Sequence, residues 1–306
     1  MQMRHEGISA EQWHEDEKMW WNKYGHYVTY QWKLTPSLNK ILRTELETDY
    51  TKFLFDTNEL LLDIGCGSGW LAMSFAGQGM QVYGIDISQE QINDANTLKN
   101  ESKLDNVEFE CCDLVKWDAD KFKGKFGRVF VNAFVHHLPE VELTILFNKI
   151  ATVLRPGGRV YMYEPLTLPE AKSRLLIRLV DKLCNYMLGA LLGILPKWFD
   201  FTNNQHKVEL ANGYKMSSPH ERPINIETIK KCCAESFEIE EIKGWHLYSM
   251  GFAMQTMAYK SSVQRVYTKV AKFWYGLDKF LLRLFNWTDF SQPERFILCS
   301  IKLIRK

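Results

Sequence analysis

Through the middle of the chain, short apolar runs alternate with amphipathic stretches. "ELLLDIG" is a continuous apolar run closed by an acid and a glycine, the pattern of a strand buried on both faces. "SGWLAMSFAGQG" predicts a short helix stopped by Gly77 and Gly79, and "QVYGIDI" a second strand. Ser88 opens a helix, with Gln91 three residues later completing a capping box, and Ile92, Ala95 and Leu98 share one face of it. "NVEFECCD" and "RVFVNAF" predict two further strands. "PEVELTILFNKIATVL" reads as an amphipathic helix stopped by a turn at Arg155–Gly158, before a fifth strand in "RVYMYEP". Strands alternating with helices imply right-handed crossovers and an α/β fold with a mostly parallel sheet, helices on both faces.

The flanks carry a different pattern. Residues 1–58 are helical and aromatic, with Trp13, Met19/Trp20, Tyr24 and Tyr27 at roughly helical spacing. After Pro165 comes a long apolar segment, "AKSRLLIRLVDKLCNYMLGALLGILPKWF". Its uncharged run, Leu183 to Pro196, falls short of the roughly 20 residues a bilayer span needs. A helix–strand pair follows in "NIETIKKCCAESFEIEEIKGWHLYS". A second amphipathic helix then sets Val263, Val266, Tyr267, Val270, Trp274, Leu277, Leu281 and Leu284 on one stripe. "ERFILCSIKLI" is the last strand, bringing the expected sheet to seven strands. The expected organisation is an N-terminal helical cap over 1–58 and a main domain over 59–306, with insertions at about 166–220 and 249–290.

Composition narrows the class. The 306 residues carry a net charge of +1 and no basic stripe, which disfavours nucleic acid as partner. Seven cysteines include no C-x-x-C, so neither a zinc site nor a disulfide framework is expected, and no metal is assigned. The polar N-terminus lacks the apolar core of a signal peptide, so the expected location is cytoplasmic. Eight of the ten tryptophans lie outside Leu60–Pro165 and concentrate in the flanking segments.

The glycines of "LLLDIGCGSGW" mark a place where a ligand touches the main chain. A glycine turn between a first strand and its helix holds a nucleotide cofactor. The dinucleotide fingerprint G-x-G-x-x-G counted from Gly65 would need glycine where Trp70 stands; the third glycine is Gly69, one position early, and the series begins with Asp63.

This series resembles the class I S-adenosylmethionine-dependent methyltransferases, in their small-molecule branch. "LLDIGCGSG" is similar to their first motif, Asp86 to the acid closing the second strand, and "CCD" with Asp113 to the third-strand motif. "RVFVNAFVHHL" occupies the place of the fourth-strand motif, and "LRPGGRVYMYEP" resembles the turn and fifth strand. The likeness covers about 59–165, and more loosely 221–248 and 294–304. It implies a Rossmann-like fold with helical lids and S-adenosylmethionine as cofactor.

On that resemblance, Asp63 would sit near the cofactor's ammonium group, and the turn of Gly65, Cys66, Gly67 and Gly69 would approach its methionyl and ribose parts. Asp86 would accept both ribose hydroxyls, Ile87 would pack on the adenine, and Asp113, followed by Leu114, would take the exocyclic amine. Asn132 would offer its carbonyl to the ammonium; many family members have an acid near this position.

For the acceptor, His136 and His137 follow the fourth strand at the ligand-binding edge, and one of them is a candidate general base. Glu164 is the next candidate, with His246 and Tyr248 behind it. Apolar additions around the core imply a small, largely apolar or aromatic acceptor, O-methylation favoured. The N-P-P-Y and D-P-P-Y sequences of base-methylating family members are absent. Basic and aromatic residues over Ser262–Trp287 also suit peripheral membrane contact, with a lipid or isoprenoid then methylated at nitrogen or carbon. An ordinary helical core, a dimer face, an NAD-dependent oxidoreductase and a non-catalytic cofactor-binding protein stay open as alternatives, and so does the oligomeric state.

Overall fold

The run Leu60–Ile64 becomes strand β1, with every residue after Leu60 buried, because a strand pairs with it on each side. These are β2 (Gln81–Asp86) and β4 (Phe126–Asn132), both parallel to it. The structure is a computed structural model describing residues 8–34, 36–168, 175–198, 218–250, 261–290 and 297–306. β3 (Val107–Cys111) extends the sheet beyond β2, and β5 (Leu154–Thr167) beyond β4. A two-residue β6 (Ile224–Asn225) pairs with the end of β5. β8 (Ile297–Arg305) is antiparallel and lies between β5 and β7 (Phe237–His246). The order is β3-β2-β1-β4-β5-β8-β7, so the seven strands expected are present with β6 as a short addition.

The period of two along each strand sends alternate side chains to opposite cores. Leu61 and Phe130 join one core with α2 (Pro36–Leu54) and α3 (Trp70–Ala76). Leu62, Ile64, Val129 and Val131 join the other with α5 (Leu143–Val153) and α7 (Ile226–Cys233). α4 (Gln89–Ser102) follows β2, and α1 (Ala10–Leu34) lies against it. The long apolar segment forms α6 (Leu175–Trp198) and the later stripe forms α8 (Ser261–Leu284). No helix of the described residues is long and apolar enough to cross a membrane.

Three local expectations need correction. The Arg155–Gly158 stretch is not a separate turn: β5 starts at Leu154, which pairs with Phe126, and the register then shifts. Gly157 absorbs that bulge at φ 71°, a left-handed torsion only glycine adopts freely. Ser88 caps α4 by accepting from the Gln91 amide, but the Gln91 carboxamide lies instead against Gly25 and Gly67, where α1 covers the helix. Leu284, placed on the inward stripe of α8, is exposed at the helix end. Residues 169–174, 199–217 and 251–260 of the two insertions lie outside the described residues, as do the side chains of Tyr27, Trp32, Trp198, Val263, Val266 and Tyr267.

Candidate active site

Strand order reverses between β1 and β4, which opens a crevice at the carboxyl ends of the strands. The glycine turn after β1 and the Ala133–His137 turn after β4 both enter that crevice edge. Gly65, Gly67 and Gly69 take φ of 70°, 53° and 74°. A Cβ on Gly65 would stand 2.5 Å from the Phe134 ring, and one on Gly69 2.6 Å from Phe109. At Gly67 the nearest neighbour would be the Gln91 Oε1, 3.4 Å away, so this glycine borders the more open side.

The turn's own amides are already engaged. Gly65 and Cys66 N–H both donate to the Ile85 carbonyl, at 2.9 and 3.0 Å, and Gly69 N–H donates to Cys66. Gly67 N–H donates to Asp86 Oδ2 at 2.9 Å. These glycines therefore offer close approach rather than free donors. Cys66 is buried, and its Sγ would lie 3.0 Å from a Cβ on Gly84, so it packs inward. Trp70, where a dinucleotide fold would need glycine, opens α3, and Arg43 of α2 lies 3.9 Å over its ring.

The acids divide by environment. Asp86 Oδ1 accepts from Ser88 N–H at 2.9 Å, as Oδ2 does from Gly67, and each oxygen keeps a lone pair for a hydroxyl. Asp63 is buried, and its Oδ2 has no hydrogen-bond partner among the described residues. Burial first, and then the nearby Asp86 charge, push the Asp63 carboxyl up to about 8. An orphaned buried carboxylate oxygen beside a glycine cradle fits S-adenosylmethionine, whose ammonium group would supply charge and donors to it. Ile87 is half-buried after Asp86, Leu114 is buried in the core, and Asn132 closes β4 opposite Tyr163.

The turn after β4 is held by Glu164. Ala133 takes φ 52°, a left-handed torsion costing a non-glycine residue roughly 1–2 kcal/mol. That torsion turns the Phe134 and Val135 amides onto Glu164 Oε1, each at 2.9 Å. Glu164 Oε2 lies 2.7 Å from His136 Nδ1. A carboxylate accepts, so Nδ1–H donates to it, and Nε2 on the other side of the ring lies 3.9 Å from Glu221 Oε1. The structure thus brings Glu164 and His136 together, with His137 beside them at 4.0 Å between ring centroids. His246 and Tyr248 have other partners: His246 Nδ1 pairs with Ser249 Oγ at 3.0 Å, and Tyr248 packs on Trp274. Burial pushes His246 down to about 3.

Helix α1 supplies partners that the sequence did not single out. His14 bridges Asp113 Oδ2 at 3.0 Å and Glu142 Oε2 at 2.7 Å. The hydrogen bond to Asp113, and next that to Glu142, push His14 up to about 9. Asp113 Oδ1 meanwhile accepts from Val115 N–H, so the acid expected at the adenine also holds the cap. Glu17 Oε2 lies 3.3 Å from His137 Nδ1, which is also 2.8 Å from Ser218 Oγ. Burial raises Glu17, but the His137 and Ser218 bonds outweigh it and hold the carboxyl low. Trp13 stacks on His220 at 4.1 Å and donates its Nε1–H to the His137 carbonyl at 2.7 Å. The sequence signal was Trp13 on the aromatic helical spacing, with Glu17 one turn later on the same face.

The parallel sheet with this strand order, the acid-led glycine turn and the acid closing β2 are similar to those of the class I S-adenosylmethionine-dependent methyltransferases. Residues 61–158 match the family described as "Methyltransferase domain". Its relatives include the ubiquinone biosynthesis O-methyltransferase of Erwinia tasmaniensis, 27% identical over 144 residues, 46% of this chain and 54% of that protein. The same enzyme of Aeromonas salmonicida is 29% identical over 159 residues, 52% and 61% of the two chains. The chain thus spans little more than half the length of these curated relatives. A geranyl diphosphate methyltransferase in complex with GPP and sinefungin shares the fold, with a TM-score of 0.51 at 15% identity over 86% of this chain and 79% of that one.

Proposed function

We propose that the protein transfers the methyl group of S-adenosylmethionine to a hydroxyl oxygen of a small, largely apolar or aromatic molecule. The Glu164–His136 pair carries this reading: a buried carboxylate fixes one imidazole nitrogen 2.7 Å away and leaves the other as a base at the ligand-binding edge. A hydroxyl acceptor needs such a base, because its oxygen must lose a proton as it takes the methyl group. S-adenosylmethionine, when bound, supplies the electrophilic methyl group. Asp63 and Asp86 hold its ammonium and ribose hydroxyls; Ile87, Asp113, Leu114 and Asn132 complete its surroundings. His136 Nε2 takes the acceptor proton, Glu164 positions His136, and His137 anchors the cap. Residues 1–58 exclude water, with Trp13 and Trp21 against the His137 region. The O-methyltransferase names of the sequence relatives support oxygen as acceptor. Seven free cysteines support a reducing, cytoplasmic setting.

The test is incubation with S-adenosylmethionine carrying a deuterated methyl group and a panel of phenols, aliphatic alcohols and amines of matched size, read by mass spectrometry. Methyl ethers of the apolar phenols are expected, and fewer in His136→Ala. Transfer confined to amines or carbon would overturn the oxygen assignment.

A further inference from the structure

We infer that the outward face of α6 and α8 docks on an anionic lipid surface. The inference stands on this face alone and goes beyond methyl transfer. Across their 48 residues the two helices carry eight basic residues and two acids. One acid, Asp278, is fully buried; the other is Asp181 on α6. In a chain of net charge +1, that is a strong local excess of positive charge.

The exposed positions of α8 repeat at helical spacing and alternate two chemistries. Lys269, Lys272, Lys279 and Arg283 are exposed cations, and Phe273, Phe280 and Leu284 stand among them more than half exposed. Lys279 also pairs with Glu45 at 2.7 Å. On α6, the exposed Arg178 and Lys182 adjoin Leu179, Leu183 and Tyr186, each more than half exposed. Between the helices runs an apolar groove of about 360 Å³, lined by Tyr186, Met187, Leu191, Val270, Phe273 and Trp274. The buried Trp274 Nε1–H on its wall has no acceptor among the described residues.

Charge selects the occupant. A two-fold contact with a second copy would set the α8 cations of one protomer against those of the other. An apolar protein core would leave these cations desolvated without partners. A bilayer surface takes both features at once: phenylalanine and leucine enter the acyl boundary while lysine and arginine reach up to phosphate groups. The exposed Tyr186 suits that boundary, where an apolar ring can keep a polar tip hydrated.

The face is also tied to the reaction edge. Asp278, on the inner side of α8, accepts from the amides of Leu247, Tyr248 and Ser249 at 3.0 Å each, and from Ser249 Oγ at 2.6 Å. Those residues follow β7 at the carboxyl end of the sheet. A docked α8 therefore holds that edge close to the membrane, where an apolar acceptor would partition.

The experiment is flotation of the full chain with vesicles of phosphatidylcholine alone or with about a third phosphatidylglycerol, at low and high salt. Binding to the anionic vesicles only, released by salt, is expected. The triple variant Lys269→Glu, Lys272→Glu, Arg283→Glu should bind at least about 100-fold more weakly, at about fivefold per charge. Phe273→Ser with Phe280→Ser should weaken binding about tenfold. All five side chains are exposed, so circular dichroism and S-adenosylhomocysteine affinity should match the parent. No flotation with anionic vesicles, equal flotation with neutral ones, or binding unchanged by charge reversal would overturn the inference. A soluble dimer dissociated by the same substitutions would overturn it in favour of a second copy.

Discussion

Glu164 and His136 meet at 2.7 Å, and the same carboxylate holds two backbone amides of the turn that presents the histidine. One side chain thus sets both the ring's tautomer and the loop's shape. Glu164→Gln would turn an amide donor toward groups that also donate. Methyl transfer is expected to fall about 10²–10⁴-fold, the usual range for lost general-base help, with cofactor affinity unchanged. Single-turnover rates beside cofactor titrations would check this; a near-parental rate would leave His136 without a catalytic role.

Asp63 sits in the site with its carboxyl pushed up to about 8, so near neutral pH much of it holds a proton. An arriving ammonium group favours the ionised form and lowers that value. Cofactor binding at pH 7 should therefore release up to about one proton per site, and affinity should rise as pH climbs toward 8. Calorimetry in phosphate and Tris would show it as a buffer-dependent enthalpy, abolished in Asp63→Asn. Identical enthalpies in both buffers would count against the pairing.

His14 gives the cap a pH dependence of the opposite sign. Its value rises from 6.5 to about 9 because Asp113, and then Glu142, accept from it. A raised histidine stabilises the folded state fully below 6.5, and that contribution disappears as pH rises through about 9. Above pH 9, α1 should become accessible to limited proteolysis while the sheet stays protected. His14→Ala should show that accessibility already at pH 7, and a cap equally protected in both proteins would refute the latch.

Trp13 ties the cap to the site through one ring, stacked on His220 and bonded to His137. Trp13→Ala should cost about 3–5 kcal/mol of cap docking. Hydrogen exchange should show the loss in α1 and not in β1 or β4. Acceptor KM should rise more than cofactor affinity falls.

The sheet was legible because its signals are local. The glycines follow the apolar run of β1 directly, and each acid lies at or within two residues of the end of its own strand: Asp63 in β1, Asp86 in β2 and Asp113 after β3. The Glu164–His136 pairing was half legible: both residues end or follow strands at one edge, so the α/β pattern brings them near. The cap contacts were not legible. No motif or periodicity singles out His14, Glu17 or Glu142, and their partners lie 99 to 128 residues away or on segments whose placement no periodicity gives. The bulge at Gly157 was missed for a related reason. R-P-G-G has turn composition, and only pairing with β4 draws it into the sheet.

The central claim is that the turn after β1 and the acid after β2 hold S-adenosylmethionine. Isothermal titration of S-adenosylhomocysteine into the parent and Asp86→Ala tests it most directly. The parent should bind one equivalent in the micromolar range, about −8 kcal/mol. Asp86→Ala removes the acceptor of two backbone amides and of the ribose hydroxyls, and should bind at least about tenfold more weakly, since each charge-assisted bond is worth about 1.5–3 kcal/mol. No binding by the folded parent, or equal affinity in the variant, would contradict the assignment.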